Sequence, residues 1–188
     1  MAIDGYCRRG SPPHAVRLKT YGTAPRGSRG YLQNMNFLPA HDFFAQLNKT
    51  VAAAGALITD PTGRVLLVKP NYRDHWGWPG GHVDEHETPD QACAREVTEE
   101  LGLTLPVGRL LVIHWNPPSG DRPVPLIHFL FDCGEIPGDE GIILQEEELD
   151  DYRFFPPEEG AALLSPHFAK RLRASLTARA QGSTIYLT

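Results

Sequence analysis

Long apolar runs are missing from this sequence. The longest strongly apolar stretch, Val51–Ile58, has eight residues, against the roughly 20 that a bilayer-spanning helix needs, so no membrane partner is expected. The first 20 residues carry arginines but no apolar centre, so no secretory signal is expected either. Cysteine is scarce. Cys7, Cys93 and Cys133 are an odd and widely spaced set that builds neither a disulfide framework nor a zinc knuckle and suits a reducing cytoplasm. Basic charge is short everywhere except at the start. Residues 1–34 hold six basic groups against Asp4 alone, whereas the other 154 residues hold 12 basic and 22 acidic groups. An acidic body makes a poor groove for a polyanion, so no nucleic-acid partner is expected. No repeat at solenoid or propeller period is visible.

What is present amounts to one domain. The chain has 188 residues, 41% of them apolar, enough to bury about 70% of the unfolded surface without a metal or disulfide staple. Residues 1–48 read as a Gly/Pro/Arg-rich, partly flexible extension, in which Tyr21, Tyr31, Leu32 and Phe37 are candidates for a homodimer contact. A short helix is expected from about Ala40. Strands are expected at Val51–Thr59 and Arg64–Lys69, joined as a hairpin by Asp60-Pro61-Thr62-Gly63. Two more are expected at Arg109–Trp115 and Val124–Cys133, and another at Tyr152–Phe155. Helices are expected over Pro156–Leu164 and from Ser165-Pro166 onward, the last with a Phe168, Leu172 and Leu176 packing stripe and its basic residues mostly elsewhere. The strands and helices mix without strict alternation, which points to an α+β or mixed α/β class. The expected organisation is the extension 1–48, a domain over 49–165, and a C-terminal amphipathic helix and tail over 166–188 packed on it.

The chemistry sits in residues 81–103, GHVDEHETPDQACAREVTEELGL. Thr88 as N-cap, Pro89 in the first turn and Gln91 completing a capping box start a helix, and Gly102 stops it. Cys93, Val97 and Leu101 recur every four residues as a core-facing stripe. Glu96, Glu99 and Glu100, at i, i+3 and i+4, share one side roughly opposite, with the small Ala92 one turn earlier. Three carboxylates on adjacent turns repel one another unless a cation neutralises them, and hard divalent ions favour such oxygen donors. Arg95, four residues before Glu99, is placed to orient it. Ahead of the helix, Pro79-Gly80-Gly81 supplies backbone that approaches a ligand closely and leaves a carbonyl free. The competing reading is a solvated helix face laced by Arg95 and Glu99.

This stretch resembles the Nudix hydrolase family. Its pattern is G, five residues, E, seven residues, then R-E-U-x-E-E-x-G-U with U aliphatic. It is met at every fixed position: Gly81, Glu87, Arg95, Glu96, Val97, Glu99, Glu100, Gly102 and Leu103. Trp76-Gly77-Trp78-Pro79-Gly80 is similar to the usual lead-in, and the strand order extends the likeness over roughly 50–165. The resemblance implies an α/β/α sandwich with a mixed sheet between helices. It further implies a hydrolase that cleaves the diphosphate of a nucleoside diphosphate derivative with Mg²⁺ or Mn²⁺. Glu96, Glu99, Glu100 and the Gly80 carbonyl would hold the ions, Arg95 would orient a carboxylate, and Glu87 would support the loop. Glu96 serves as ligand or base. In some members the base sits on a later loop, where Glu146, Glu147 and Glu148 are candidates with Glu146 and Glu147 favoured and Glu135 an outsider.

Around the box, Trp76, Trp78 and Trp115 are candidates for stacking a nucleobase, with packing as the alternative. Arg73, Lys69 and Arg122 are candidate phosphate contacts, and Gly81 brings backbone close to substrate. His75, His82 and His86 suit softer metals and are read as bystanders. Nucleotide sugars or ADP-ribose are favoured, with a (d)NTP open. Pro117 and Pro118 fall just short of the position whose proline marks the ADP-ribose pyrophosphatase branch. The alternative function is a nucleotide sensor of the same fold that binds without turnover, and a third is a purely structural or interaction protein. Sensors tend to lose box carboxylates, and all are present here.

Overall fold

The computed structural model describes residues 15–16, 38–138 and 141–188. Cys7, Tyr21, Tyr31, Leu32 and Phe37 lie outside the described residues. The chain falls into two compact units, Met1–Asn48 and Lys49–Thr188. In the first, β1 (Ala15–Val16) pairs antiparallel with β2 (Leu38–Pro39), and helix α1 spans Ala40–Ala45.

The second unit is built on a seven-stranded mixed sheet. Its central strand, β3 (Val51–Thr59), reads VAAAGALIT and is buried from Ala53 onward. A near-continuous apolar run is what a strand covered on both faces requires. β3 runs parallel to β7 (Leu126–Glu135), which pairs antiparallel with β6 (Leu110–Asn116). β6 in turn runs parallel to β9 (Ile185–Leu187). On the other side β4 (Val65–Pro70) pairs antiparallel with β8 (Leu149–Phe155).

Helix α2 (Pro89–Leu101) covers one face of this sheet. Its Ala92, Cys93, Val97 and Leu101 pack with Ala54, Ala56 and Ile58 of β3. The other face packs against α3 (Pro157–Leu163) and α4 (Pro166–Gln181), where Leu57, Val65, Leu67 and Leu130 meet Ala161, Ala169 and Leu172. Successive β3 residues thus serve opposite layers, as strand periodicity dictates. The result is an α/β/α sandwich, α+β in class.

Three expectations change. The Asp60–Gly63 turn forms, but β3 and β4 pair only at Thr59 and Val65 before diverging. β5 (Gly80–His82) takes the vacated place beside Ala53–Gly55. The packing face of α4 is centred on Ala169, Leu172, Ser175 and Ala178, and Phe168 and Leu176 are only half-buried. Small residues let the helix lie close to the sheet there. Two of its basic residues turn inward as well. Arg171 is buried, and Arg179 staples α4 to the sheet through Asp132, the Thr59 hydroxyl and the Leu57 carbonyl. Folding brings Cys93 and Cys133 together as buried free thiols with sulfurs 3.7 Å apart, without a disulfide. Among the described residues no helix is long and apolar enough to cross a membrane.

Candidate active site

Helix α2 begins and ends where its caps dictate. The Thr88 amide donates to Gln91 Oε1 at 2.8 Å, Pro89 occupies the first turn, and Gly102 at φ 66° closes the other end by donating to the Thr98 carbonyl. The helix therefore presents its glutamates in a fixed phase to β5, the glycine strand alongside.

That strand explains its own composition. At Gly81 a Cβ would overlap the Glu96 carboxylate, coming within 2.6 Å of its Cδ. At Gly80, with φ 145°, a Cβ would meet the Ala54 backbone. The register pairs Gly80 with Gly55 at a non-hydrogen-bonded position of the antiparallel ladder, since Ala56 takes the Pro79 carbonyl and Val83 donates to the Ala52 carbonyl. The Gly80 amide accordingly points away from β3 and donates to Glu100 Oε2 at 2.8 Å. Its carbonyl shares that side.

Arg95 organises the remaining carboxylates. It clasps Glu87 with two bonds, Nη2 to Oε1 at 2.8 Å and Nε to Oε2 at 3.2 Å. Nη1 donates to Glu96 at 2.9 Å and to Glu99 at 2.8 Å, and Nη2 to the His82 carbonyl at 2.9 Å. The Arg95 guanidinium holds the Glu87 carboxyl below its usual range, helped by the Asp84 amide. One cation is shared by three glutamates. Glu96 is half-buried, and burial pushes its carboxyl upward despite Arg95. Glu100, 6% exposed, is pushed up to about 8 by burial and by its acidic neighbours, which outweigh the Gly80 bond. It thus lies deeper than the shared solvent-side face of the three glutamates suggested, and Ala92 joins the core instead of leaving space beside them.

The loop after β7 supplies one more carboxylate. Of the three glutamates there, it is Glu148 whose charge bears on both Glu96 and Glu100, whereas Glu146 and Glu147 were the favoured pair. The loop is tethered so as to aim it: Gln145 donates to the Glu100 carbonyl, and Asn71 binds the backbone of both Glu147 and Glu148. Three consecutive glutamates look alike in sequence, and what distinguishes Glu148 is these bonds. Glu135 pairs with Thr59, at the far end of β3 from Ala53–Gly55.

The donor set suits a hard divalent cation. Every donor is oxygen, the negative charge exceeds the Arg95 guanidinium, and Glu100 is buried with no cationic partner among the described residues. As they stand, no three His, Cys, Asp or Glu side chains among the described residues converge tightly enough to hold an ion. Arg95 and the Gly80 amide occupy these oxygens instead.

The other candidates disperse. Trp76 packs edge-on against Phe155 at 5.0 Å, and Trp78 is buried in the α4-side core. Trp78 packs rather than offering a face to a base, and Trp76 is half-buried. Trp115 is half-buried on β6. Arg73 lies over the Tyr72 ring at 4.9 Å, Lys69 is spent on the Pro70 and Arg73 carbonyls, and Arg122 binds the Pro117 and Val124 carbonyls of its own loop. His82 and His86 are exposed, and His75 is half-buried near Phe168.

Comparison with known proteins agrees with this geometry. The family model for the NUDIX domain matches residues 49–176. An 8-oxo-dGTP diphosphatase of Proteus vulgaris is 34% identical over 88 residues, covering 44% of this chain and 76% of that protein. An RNA pyrophosphohydrolase of Hydrogenovibrio crunogenus is 45% identical over 49 residues, only 26% of this chain and 30% of that one. The crystal structure of a MutT protein from Methanosarcina mazei superimposes with a TM-score of 0.57 at 23% identity, covering 72% of this chain and 96% of that chain. A glycine strand moulded to a glutamate-bearing helix, inside a domain matched across most of its length, places this chain in the Nudix family.

Proposed function

We propose that this chain is a pyrophosphohydrolase that uses Mg²⁺ or Mn²⁺ to cleave the diphosphate linkage of a nucleoside diphosphate derivative. The observation that carries this reading is the close packing of Glu96 on Gly81 and of Glu100 on the Gly80 amide. A half-buried and a buried carboxylate are held there against backbone that a substrate can approach. Glu96, Glu99, Glu100 and the Gly80 carbonyl would hold the cation, which when bound screens phosphate charge and acidifies a water.

The chain's own groups then divide the work. Arg95 fixes the rotamers of Glu96 and Glu99 and is a positioning residue. Glu87 anchors Arg95. Glu96, whose carboxyl burial pushes upward, or Glu148 on the later loop takes the proton from the attacking water. Nucleotide sugars and ADP-ribose are the favoured substrates. The relative named for 8-oxo-dGTP supports keeping a (d)NTP beside them.

The test is a phosphate-release screen over ADP-ribose, nucleotide sugars, dinucleoside polyphosphates, NADH and (d)NTPs with Mg²⁺ or Mn²⁺. Phosphatase or pyrophosphatase coupling reads the products. Turnover of one class that falls about 10²–10⁴-fold in Glu96→Gln is the expected result. Folded, cation-binding protein that is silent on every compound would instead make it a binding domain without turnover.

A further inference from the structure

The α4 face carries a second polar cluster that the box does not use. His114 on β6 and His128 on β7 are direct partners across the ladder and are 2% and 8% exposed. Helix α4 packs against them. The His167 ring lies 6.1 Å from that of His114, and the Phe168 ring lies edge-on 6.5 Å from that of His128. Arg171, 4% exposed, sets its guanidinium 4.2 Å over the same Phe168 ring.

These groups lack partners. Arg171 donates through Nε to the His167 carbonyl at 3.4 Å, but its Nη1 has no partner. Neither has His114 Nδ1 nor His128 Nδ1. Together with the Trp78 indole, they are the buried side-chain polar atoms left unpaired among the described residues, and all four are nitrogens. No carboxylate among the described residues pairs with Arg171, and burial alone moves its pKa, down to about 10. Burial keeps both imidazoles uncharged, His114 pushed down to about 4 and His128 well below its ordinary value, with the Arg171 charge adding to the effect. Each neutral ring still offers one N–H.

A guanidinium buried without a counter-charge is strongly unfavourable, and a neutral ligand would leave that charge uncompensated. An anion compensates it, and planar oxyanions match the guanidinium fork. The cluster also borders the box. A Cβ placed on Gly55 would lie 3.3 Å from His128 Cε1 and 3.2 Å from the Pro79 carbonyl, and Gly55 is the register partner of Gly80.

We propose that Arg171, His114 and His128 form a receptor for an oxyanion, a carboxylate or a phosphate, carried by the substrate away from the linkage that is cleaved. The assignment of that oxyanion to the substrate rests on the hydrolase reading above, whereas the receptor itself does not.

The experiment titrates the cation-free full chain with inorganic phosphate and, separately, with acetate, following the histidine ring resonances and the melting temperature. The expected result is that one anion shifts the His114 and His128 signals and raises the melting temperature. The same response should persist in Glu96→Gln and vanish in Arg171→Met. Phosphate response alone assigns a phosphate, and acetate response alone a carboxylate. Arg171→Met should melt higher than wild type when no anion is present, since it sheds an uncompensated charge. Arg171→Lys, which keeps the charge but loses the fork, should weaken the response about tenfold and serves if the methionine variant does not fold. No response to either anion, or an undiminished response in the Arg171 variants, overturns the receptor. With an active substrate in hand, Arg171→Met should raise KM tenfold or more for compounds bearing an extra anionic group and not for those lacking one. Equal KM changes for both sets would overturn the link to substrate. Absence of all turnover would count against the hydrolase reading and leave the anion titration to decide the receptor.

Discussion

Arg95 and Arg171 sit on helices at opposite faces of one sheet and in opposite circumstances. Arg95 is partly exposed and gives its bonds to three glutamates and a carbonyl. Arg171 is buried, stacked on Phe168, and meets no carboxylate among the described residues. The same side chain is thus a clamp on one face and an unanswered charge on the other. What separates them is the acceptors that the fold brings, so residue type alone does not reveal the role.

Variants on the two faces should separate most sharply where the Arg95 side is touched at its tightest point. Gly81→Ala should displace Glu96 by about an ångström and lower kcat on the order of 100-fold with the fold intact, as read by turnover and circular dichroism. Full activity in that variant would mean that the placement of Glu96 is immaterial. Arg95→Ala should leave its carboxylates unpaired and destabilise the protein by about 2 kcal/mol in denaturant unfolding. Arg95→Lys should recover only part of this, because an ammonium cannot reproduce the fork. Arg171→Met should move the other way, gaining about 1 kcal/mol and roughly 2–4 °C in melting temperature. Equal signs at the two arginines would erase the contrast.

A smaller effect comes from Asp60, away from both faces. Burial would raise its carboxyl, but the Thr62 hydroxyl, the Arg64 amide and guanidinium and the Thr62 amide hold it at about 2. A depressed carboxyl contributes stability above its unfolded value of roughly 3.9, lost as pH falls toward the folded value. Asp60→Asn should therefore be less stable at neutral pH and flatter between about pH 4 and 2 in acid unfolding.

The box was legible in the sequence because its determinants are local. Thr88, Pro89, Gln91 and Gly102 fix the helix, and helical spacing fixes the phase of its glutamates. β3 and β4 were legible from their apolar runs. β5 was not, since two glycines and a histidine have no strand preference and pair with β3 only because the Gly80 and Gly81 backbone fits there. The burial of Arg171 was hidden for a similar reason. A basic residue on a helix with a plausible apolar stripe reads as solvated until Ala169, Ser175 and Ala178 are seen to bring that helix close to the sheet. The contact of Cys93 with Cys133, 40 residues apart in sequence, depends wholly on α2 lying across β7.

The loop carrying Glu148 hangs from the end of α2, with Ile143 bonded to the Leu101 carbonyl and Gln145 to that of Glu100. This coupling gears the two segments together. Held both to the last turn of the helix and to Asn71, the segment bearing Glu148 has its backbone fixed relative to that of Glu100. A tether of that kind lets a site assembled from distant stretches of chain keep its dimensions while the packing around it fluctuates.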